Sequence, residues 1–460
     1  CKIRKDGKKM FDGNGKKVLV FGSGKSGIGA VTLLEHEGVE TILYDGNEKL
    51  SREEVAGRLP EGCRTEIVIG AFPYERVDEI GMLVLSPGVP TDLPVVQDME
   101  KAGIPVWGEV ELASCFGKGD VLAITGTNGK TTTTTLLGEI MKAYKPEVFV
   151  VGNIGNPYTL EALKMTPASV TVAEISSFQL ETIHRFAPKI SAILNITPDH
   201  LNRHHTMENY IKAKEAITEN QTKEEFCVLN YEDEVLREFG EKTNATPFFF
   251  SSKRELETGI FLKDGEIIFR NPDEVRVCKT NELQLLGTHN YENVMAAVAM
   301  AALYGVPMDT IRDVIRRFSG VEHRIEYVTE KNGVAYYNDS KGTNPDAAIR
   351  GITAMNRPTV LIGGGFDKQS EYDEWIESFH GKVKKLILIG ETKKKIAETA
   401  RKCGFTAYMF ADTLEEAVTL ASREAKEGDA VLLSPACASW DMFGSYEERG
   451  EKFKELVKSL

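Results

Sequence analysis

Short runs of consecutive apolar residues recur along the chain, each followed by a glycine or a turn and then by a longer stretch with helical spacing. Runs that are apolar at every position are typical of parallel strands, which are buried on both faces of a sheet. Their regular alternation with helices predicts an α/β protein. The predicted strands are KVLVFG, ETILYD, MLVLSPG, VLAITG, AILNIT, TVLIGGG, KLILIG and AVLLSP.

The length of the chain sets the number of domains. At 460 residues it is too long for one ordinary core, and its strand–glycine signals fall into three groups. Boundaries near Trp107–Glu109 and near Gly320 predict domains at residues 1–108, 109–320 and 321–460. A polar stretch from about Glu234 to Asn281 contains alternating pieces such as EIIFR, which predict a small antiparallel sheet in the central domain.

Composition and charge narrow the classes of function. A net charge of −13 without a long basic run argues against nucleic-acid binding. The seven cysteines are scattered without a CxxC pair, which argues against a disulfide framework or a structural zinc site and fits a reducing compartment. No run approaches the roughly 18 apolar residues of a membrane span, and the basic first residues contain no apolar signal segment. We therefore expect a cytoplasmic protein with neither membrane nor nucleic-acid partners. We also expect a monomer, although none of these features bears on the oligomeric state.

The first candidate site is the loop GSGKSG at residues 22–27, which fits GxGxxG, follows a predicted strand and opens a helix. Asp45 ends the next predicted strand. In dinucleotide-binding proteins such glycines let the backbone approach a diphosphate, and the acidic residue accepts a hydrogen bond from a ribose hydroxyl. Taken alone, the loop indicates either an NAD-dependent enzyme or a tight turn without a ligand. Ser86–Gly88, after another predicted strand, could close the same pocket.

The strongest chemical signal is VLAITGTNGKT, in which a buried strand runs into a glycine-rich turn and then into Lys130 and Thr131 at the start of a helix. The amides of such a loop bind phosphate, the lysine neutralises terminal phosphates and the threonine can bind Mg²⁺. The spacing departs from GxxxxGK[ST], because Ile124 stands where the first glycine is expected. Downstream, Glu174 and Asp199–His200 follow predicted strands, at the edge where α/β proteins bind ligands.

Four runs, TGTNGKT, GNIG, EISSFQLE and NITPDHLNRH, together resemble the Mur ligase family, which shares this ATPase domain with the folylpolyglutamate synthases. The shortened phosphate loop is usual in that family. The resemblance extends from Lys17 to Phe453. It implies a Rossmann-like N-terminal domain, a P-loop ATPase central domain and a Rossmann-like C-terminal domain, with ATP and two Mg²⁺ ions as cofactors.

The resemblance also implies roles for residues of the central domain. The residues that bind ATP would be Gly126, Thr127, Asn128, Gly129, Lys130, Thr131 and Thr132. The metal ligands would be Thr131, Glu174, His200 and a carbamylated lysine formed from CO₂, which we assign to Lys214 with Lys212 as the alternative. Lys130, His200 and Lys214 would be catalytic, with His200 a candidate base if it does not bind metal. Asn153 would contact the muramoyl part of the substrate.

Further nucleotide contacts are implied by the start of a helix and by the entrance to the third domain. GTHNYENVMAA supplies Asn290 and Asn293 where the family contacts the nucleotide base, although Asn290 could instead cap the helix. EHRIE and YNDSKGTNPDA resemble the segments in which Arg324 and Asp339 would contact ATP. Alternatively, Asp339, Ser340 and Lys341 could cap the helix that follows. Further candidate lining residues are Lys341 and Asn344.

The run SPACASWDMF, followed by ERG-x-x-F, resembles the branch of the family that adds D-glutamate. The branch that adds diaminopimelate or lysine has a DNPR-like motif, which this sequence lacks. By resemblance, the residues that bind D-glutamate are Thr343, Lys368, Ser439, Trp440 through its backbone, and Tyr446. Trp440 replaces a common leucine and Tyr446 a common phenylalanine, from which we expect tuning rather than a new substrate. Cys437 could be a nucleophile, but no partner histidine is evident, which favours a small buried residue at a strand end.

The resemblance reassigns the first loop to UDP. The residues implied in that pocket are Ser23, Gly24, Lys25, Ser26, Asp45, Ser86 and Gly88. The implied activity is ATP-dependent ligation of D-glutamate to UDP-N-acetylmuramoyl-L-alanine through an acyl phosphate, in peptidoglycan synthesis. An NAD-dependent oxidoreductase would leave GTNGKT unexplained, and a non-catalytic ATP-driven switch would leave SPACASWDMF without a role. A folylpolyglutamate synthase is disfavoured by the UDP-like first domain and the C-terminal run.

Overall fold

The computed structural model describes residues 2–5, 8–12 and 16–460, with side chains from residue 16 onward except that of Asn202. Cys1, one of the scattered cysteines and the first residue of the predicted first domain, lies outside the described residues.

The N-terminal sheet has five parallel strands in the order β5-β4-β3-β6-β7. It follows an antiparallel pair, β1 and β2. The strands are β1 Lys2–Lys5, β2 Lys8–Asp12, β3 Lys17–Phe21, β4 Thr41–Asp45, β5 Glu66–Ile69, β6 Ile80–Leu85 and β7 Val106–Gly108. The helices are α1 Lys25–His36, α2 Arg52–Ala56, α3 Pro94–Lys101 and α4 Glu109–Phe116, with a 3₁₀ turn at Tyr74–Glu79. Because β3 pairs with β4 on one side and β6 on the other, the carboxyl end of β3 is a switch point where a ligand crevice is expected.

The central sheet has nine strands in the order β16-β15-β14-β13-β12-β11-β8-β10-β9. Its strands are β8 Asp120–Thr125, β9 Val148–Gly152, β10 Val170–Glu174, β11 Ile190–Ile193, β12 Phe226–Asn230, β13 Thr246–Ser251, β14 Gly259–Lys263, β15 Glu266–Arg270 and β16 Glu274–Lys279. Its helices are α5 Lys130–Tyr144, α6 Tyr158–Glu161, α7 Ser177–Leu180, α8 Leu201–His204, α9 Met207–Glu215, α10 Glu234–Gly240, α11 Thr288–Tyr304 and α12 Met308–Arg317. Short 3₁₀ turns are at Ala162–Lys164, Ala216–Thr218 and Thr280–Glu282. The phosphate loop follows β8, which lies between β10 and β11 and is again a switch point.

The antiparallel part of the central domain differs from the sequence prediction. Pairing is parallel from β9 to β14 and antiparallel between β14 and β15. The antiparallel strands thus extend the parallel sheet instead of forming a separate small sheet. The predicted strand EIIFR is β15, whereas the start of the polar stretch, Glu234–Gly240, is helical.

The C-terminal sheet has six strands in the order β17-β18-β22-β19-β20-β21, with β17 antiparallel to β18 and the other pairs parallel. Its strands are β17 Glu326–Lys331, β18 Val334–Asn338, β19 Thr359–Gly364, β20 Val383–Ile389, β21 Tyr408–Phe410 and β22 Ala430–Leu433. Its helices are α13 Pro345–Ala354, α14 Asp373–Glu377, α15 Lys393–Lys402, α16 Leu414–Glu424 and α17 Tyr446–Ser459. The turns after β18, β19 and β22 carry the predicted amino-acid site.

The predicted α/β fold class is confirmed. Each apolar run named above contains a strand of one of the three large sheets, and the central residues of these strands are buried. Apolar clusters cover both faces of the N-terminal sheet and both faces of the C-terminal sheet. Burial on both faces is why these strands are apolar at every position.

The chain packs as two compact units. The first holds the N-terminal and central sheets up to Val277 together with Glu292–Val314, and the second holds Cys278–Tyr291 and Ile315–Leu460. The domain limits at residues 108 and 320 stay predictions. Among the residues that the structure describes, none of the helices has both the length and the apolar character needed to cross a bilayer.

Candidate active site

The turn between β3 and α1 is held by Asp45, the last residue of β4. Ser23 is buried, and its backbone N–H and its hydroxyl both donate to Asp45 Oδ2, at 2.8 and 2.6 Å. The Asn47 N–H donates to Oδ1 at 3.0 Å. Partial burial opposes ionisation, but these hydrogen bonds outweigh it and lower the pKa of Asp45. Asp45 is therefore ionised, and its hydrogen bonds fix the shape of the turn.

Close packing joins this turn to the turn after β6. A Cβ at Gly27 would lie 1.8 Å from the carbonyl oxygen of Gly22, so no side chain fits there. Ser86 Oγ donates to the same carbonyl at 3.2 Å. Of the other residues predicted in this pocket, Gly24 and Gly88 lie on these two turns, and Lys25 and Ser26 open α1; all four are exposed or half-buried. The structure thus brings Ser23, Asp45 and Ser86 together at the switch point of the first sheet.

The phosphate loop connects β8 to α5, a helix of 15 residues. Gly126 and Gly129 have φ values of +144° and +87°, which favour glycine. Lys130 Nζ donates to the carbonyl oxygens of Gly126 and Thr127, at 2.8 and 2.9 Å. Two hydroxyl residues follow in the first turn of α5, Thr131 and Thr132. Because first-turn amides have no acceptor within their own helix, this loop offers an anion site with an ammonium group beside it.

The segment after β11 braces the phosphate loop. The Asn128 N–H donates to Asn195 Oδ1 at 2.8 Å, and Asn195 Nδ2 donates to Asn128 O at 3.1 Å. Thr127 Oγ1 lies 3.1 Å from Thr197 O and 3.0 Å from Tyr210 Oη. Sequence reasoning missed Asn195 and Tyr210, although both lie in runs that carried the resemblance or the candidate lysines.

Asn293, in α11, contacts the same loop. A Cβ at Gly129 would lie 2.1 Å from Asn293 Oδ1, so this amide packs directly on the glycine. In the second unit, Asn290 is buried, and its Nδ2 donates to the Leu286 carbonyl at 2.7 Å. Asn290 therefore ties the first turn of α11 to the preceding chain.

Glu174 is the last residue of β10, which pairs with β8, the strand before the phosphate loop. Its side chain is buried. Asn153 Nδ2, in the GNIG turn, donates to Glu174 Oε1 at 2.8 Å. Glu174 Oε2 is buried with no hydrogen-bond partner among the described residues. A buried carboxylate oxygen without a partner is costly, and a hard divalent cation satisfies it. The site therefore fits Mg²⁺.

The two candidate lysines of α9 have opposite environments. Lys214 is 2% exposed, and its Nζ donates to the Gly126 carbonyl at 2.8 Å and lies 4.6 Å from the centre of the Tyr210 ring. Burial, assisted by the charge of Lys130, lowers the pKa of Lys214 to about 7. Lys212, in contrast, has a side chain 66% exposed that pairs with Glu208 at 2.7 Å. The geometry favours Lys214, whose neutral amine is the form that reacts with CO₂.

His200 lies on the loop after β11 and has a positive φ of 52°. Its side chain is 51% exposed, and its Nε2 lies 3.6 Å from Asp199 Oδ2. Its ring meets the Phe178 ring at a centroid distance of 5.0 Å and an angle of 62°. Since Phe178 lies in α7, just after the end of β10, the structure brings His200 to the same sheet edge as Glu174.

In the third domain, Asp339 follows β18 and is buried. Ser434 Oγ donates to its Oδ2 at 2.6 Å, and the Ile325 N–H donates to its Oδ1 at 3.3 Å. Burial raises the pKa of Asp339 to about 7, although these bonds and the charge of Arg324 oppose the rise. The structure corrects the capping alternative for this turn, because the residue that caps α13 is Asn344, which accepts from the Ala347 N–H at 2.9 Å.

We expect Asp339→Asn to flatten the pH dependence of folding stability. The carboxyl pKa is about 7 in the folded protein against an ordinary 3.8, so its contribution to stability is complete below about pH 4 and is lost as the pH rises to about 7. Asparagine can keep both hydrogen bonds, since its oxygen accepts from Ile325 and its amide donates to Ser434. Urea unfolding at pH 5 and pH 8 should show that the wild-type free energy of unfolding falls about 2 kcal/mol more than that of the variant. Equal falls would contradict the raised pKa.

Arg449, in α17, clamps the turn after β18 to the loop after β22. Its buried guanidinium donates to Ser340 Oγ and Ser340 O at 2.9 and 2.8 Å, and to the carbonyls of Cys437 and Ala438 at 3.1 and 3.2 Å. Burial lowers its pKa to about 10, so it stays a cation at neutral pH. Sequence reasoning used Arg449 only as part of ERG-x-x-F and missed this clamp.

Cys437 is buried, and its Sγ lies 3.1 Å from Tyr372 Oη and 3.3 Å from Thr392 Oγ1. Burial raises the pKa of this thiol. A thiol with a raised pKa between two hydroxyls is a packing residue rather than a nucleophile.

The loops after β19 and β22 lie side by side, because the Phe366 N–H donates to Ala438 O at 3.0 Å. Lys368 Nζ lies 5.1 Å from the centre of the Trp440 ring. Trp440 is 63% exposed, whereas the neighbouring Ser439 is buried. An ammonium group at the same sheet edge as a buried hydroxyl is suited to a carboxylate ligand.

The other predicted amino-acid contacts lie on the turns that border these loops. Thr343 is half-buried just before α13. Tyr446 opens α17, and its carbonyl accepts from Ser340 Oγ at 2.8 Å. Lys341 Nζ lies 5.6 Å from the centre of the Tyr446 ring. Burial raises the pKa of Tyr446 to about 12, so its hydroxyl is a neutral donor.

Comparison with known proteins identifies the family. The N-terminal domain of MurD-like Mur ligases matches residues 16–108, the Mur ligase middle domain matches residues 124–301, and the Mur ligase glutamate ligase domain matches residues 323–437. The chain belongs to the Mur ligase family. The UDP-N-acetylmuramoylalanine--D-glutamate ligase of Lachnoclostridium phytofermentans is 58% identical over 97% of this chain and 98% of that protein. The ligase of the same name from Lachnospira eligens is 55% identical over 98% of this chain and 100% of that protein.

A solved structure has the same fold. The UDP-N-acetylmuramate-alanine ligase MurC of Thermotoga maritima superposes with a TM-score of 0.57 at 19% identity, covering 96% of this chain and 99% of that one. Mur ligases use ATP and Mg²⁺, so the NAD-dependent alternative for the first loop is dropped.

A cluster that sequence reasoning missed borders the loop at Asp199–His200 after β11 (the metal loop, named for the predicted metal ligand His200). Its members come from the runs EISSFQLE and DHLNRHH: Ser177, Phe178, Glu181, Arg203 and His204. His204 Nε2 lies 2.9 Å from Ser177 Oγ, and its Nδ1 lies 3.3 Å from Glu181 Oε1. Burial, with the charge of Arg203, lowers the pKa of His204 to about 4, so the ring is neutral. The density of histidines after Asp199 was the available sequence signal.

Proposed function

We propose that this Mur ligase joins D-glutamate to UDP-N-acetylmuramoyl-L-alanine, converting ATP to ADP and phosphate, as a step in peptidoglycan synthesis. The observation that carries the proposal is the sequence identity of 58% and 55% to two D-glutamate ligases over nearly the whole chain. The site supports it, because each of the three sheets places charged or polar groups at the edge where one reactant would bind.

In the first step, an oxygen of the L-alanyl carboxylate attacks the γ-phosphorus of ATP, and the bond between that phosphorus and ADP breaks. Lys130 and the amides at the start of α5 would stabilise the negative charge of the moving phosphoryl group. The Lys130 ammonium already lies on the phosphate loop, 2.8 Å from the Gly126 carbonyl. The product is an acyl phosphate.

In the second step, the amine of D-glutamate attacks the acyl carbon, and the tetrahedral intermediate expels phosphate to leave an amide. The ammonium form of D-glutamate must first lose a proton, and His200 is a candidate base only if it does not bind metal. Its half-exposed ring, beside Asp199 on the loop after β11, is consistent with access to a reactant.

The proposed metal ligands are Thr131, Glu174, His200 and carbamylated Lys214. The uncompensated oxygen of Glu174 supports a cation at this edge of the sheet. Bound Mg²⁺ would offset the phosphate charge that collects between two anionic reactants. The protein's own contribution is to hold these ligands on rigid strand ends and helix starts.

Carbamylation would turn the neutral amine of Lys214 into a carboxylate, with release of one proton. The lowered pKa supports this reaction, since about half of the amine is unprotonated near pH 7, far more than for an ordinary lysine. The new negative charge would also replace the repulsion between Lys214 and Lys130 by attraction.

We assign the remaining nucleotide contacts to residues in each unit. In the first unit, the residues would be Gly126, Thr127, Asn128, Gly129, Thr132 and Asn293; in the second, Asn290, Arg324 and Asp339. The packing of Asn293 on Gly129 supports its place beside the phosphate loop.

The D-glutamate carboxylates would bind Lys368, Thr343, Ser439, the backbone at Trp440, and Tyr446. The pairing of the loops that carry Lys368 and Ser439 supports this assignment. The UDP part would bind the turns at Ser23–Ser26 and Ser86–Gly88, with Asp45 near the uridine and Asn153 near the muramoyl group. We also propose that the protein acts as a monomer in the cytoplasm.

The test is phosphate release with Mg²⁺-ATP and UDP-N-acetylmuramoyl-L-alanine, comparing D-glutamate, L-glutamate, L-lysine and no amino acid. We expect release only with D-glutamate, at least about 100-fold above the other amino acids, since a site built on paired polar groups rejects ligands that leave them unpaired. Mass spectrometry should show a product heavier by one glutamyl residue. Release supported by another amino acid would overturn the D-glutamate assignment, and no release would overturn the ligase itself.

A further inference from the structure

Arg203, in α8, makes three kinds of contact although its side chain is only 11% exposed. Its Nη2 donates to Glu181 Oε2 at 2.6 Å and to the backbone carbonyl of Val89 at 3.1 Å. Its guanidinium lies over the Phe178 ring, 4.7 Å from the ring centre. A nearly buried arginine with a paired carboxylate, a carbonyl acceptor and an aromatic face is held in one position.

On one side, Arg203 contacts Val89, which lies next to the turns of the N-terminal sheet. Val89 follows the Ser86–Gly88 turn, and its N–H donates to Ser86 O at 2.9 Å. Ser86 Oγ in turn donates to Gly22 O, at the start of the turn that follows β3. Arg203 thus contacts the segment that borders the proposed UDP pocket.

On the other side, Arg203 lies against Phe178, which borders the metal loop. The Phe178 ring that lies against the guanidinium also meets the ring of His200 at 5.0 Å. Glu181, which pairs with Arg203, also has its Oε1 3.3 Å from His204 Nδ1. The His204 ring meets the Tyr210 ring at a centroid distance of 5.2 Å and an angle of 51°. Arg203 therefore contacts the segment beside the proposed UDP pocket directly, at Val89, and approaches the metal loop through Phe178.

We propose that Arg203 is a positioning residue that sets the distance between the UDP pocket and the metal loop, so that the L-alanyl carboxylate meets the γ-phosphate. The proposal rests on the proposed function. It predicts a particular loss: each ligand should still bind alone, because Arg203 belongs to neither pocket, while turnover falls because the reacting atoms are misplaced. A displacement of about 1 Å can lower a rate about 100-fold.

Arg270 offers a matched control. It also donates to a backbone carbonyl, that of Leu256 at 2.7 Å, pairs with a carboxylate, Glu274, and lies over a phenylalanine, 4.8 Å from the centre of the Phe261 ring. It lies in β15, among the strands that extend the central sheet, and has no place in the proposed site. Arg270→Met therefore removes the same kinds of contact and reports the purely structural cost.

The experiment compares Arg203→Met, Arg203→Lys and Arg270→Met. We expect Arg203→Met to lower kcat about 10- to 100-fold, while the Kd values for UDP-N-acetylmuramoyl-L-alanine and for a Mg²⁺-bound non-hydrolysable ATP analogue, each measured alone by calorimetry, change less than about threefold. Arg203→Lys keeps the charge but not the planar fork, so it should recover part of kcat. Arg270→Met should keep kcat within about twofold, since Arg270 lies outside the proposed site.

Two results would overturn the proposal: a kcat for Arg203→Met equal to that of Arg270→Met, or a loss confined to binding of the UDP substrate with kcat unchanged. If Arg203→Met does not fold, Phe178→Leu replaces it, because it keeps the ion pair and removes the ring between Arg203 and His200; an unchanged kcat there would also overturn the proposal. Turnover is measured with whichever amino acid the wild-type protein uses. A wrong amino acid therefore contradicts the proposed function alone, and a protein without turnover contradicts both.

Discussion

Lys214→Ala is expected to lower D-glutamate-dependent phosphate release about 1,000-fold, and formate or acetate is expected to restore part of it. The variant removes the carboxylate that carbamylation would create beside the phosphate loop, and with it a proposed metal ligand. A small carboxylic acid can enter the space left by the side chain and supply the missing charge. Steady-state phosphate release, measured with and without the acid, tests both parts.

Lys212→Ala is the control for this experiment, since Lys212 lies on the same helix but is exposed and paired with Glu208. It should turn over within about twofold of the wild type. A Lys214→Ala protein with normal activity, or one that no carboxylic acid restores, would remove the carbamate from the mechanism.

Lys130→Ala is expected to lower kcat about 100- to 1,000-fold, with the Kd for UDP-N-acetylmuramoyl-L-alanine nearly unchanged. The reason is that this ammonium would act on the charge of the moving phosphoryl group, whereas the proposed UDP pocket lies at the edge of another sheet. ADP formation under saturating substrates measures the first effect and calorimetry the second.

Lys142 supplies the matching control, because it is also in α5 but is exposed and pairs with Glu139 at 2.9 Å. Lys142→Ala should leave kcat unchanged within about twofold. ATP turnover at the wild-type rate in Lys130→Ala would contradict the phosphate-loop assignment.

The strands could be predicted from the sequence because burial on both faces demands an apolar residue at every position. The way in which the antiparallel strands join the parallel strands could not be predicted from the sequence. A hydrophobic pattern predicts that a strand exists but not which neighbouring strand it pairs with. β14 pairs in parallel with β13 on one side and antiparallel with β15 on the other, which joins both parts into one sheet.

Part of the candidate site could also be predicted from the sequence. Glycines, a lysine and hydroxyls after a strand predict a phosphate loop wherever they occur together. The different environments of Lys212 and Lys214 could not be predicted from the sequence, because two residues on one helix differ only in the face they occupy, and only the structure shows that Lys214 is buried and Lys212 exposed. The Arg449 clamp joins residues far apart in the chain, Ser340 and Arg449, and no local pattern records such a contact.

The close approach of Gly27 to Gly22 bears on how bacteria could escape an antibacterial compound directed at the first turn. Any substitution at Gly27 places an atom 1.8 Å from a carbonyl oxygen, and Ser23 is tied to Asp45 through both its N–H and its hydroxyl. A substitution at Gly27 would displace the backbone of the turn, and loss of the Ser23 hydroxyl would remove one of the two hydrogen bonds to Asp45. Escape would then be confined to exposed neighbours such as Lys25, so a compound that binds the backbone of the turn and ignores the Lys25 side chain would leave few routes to resistance.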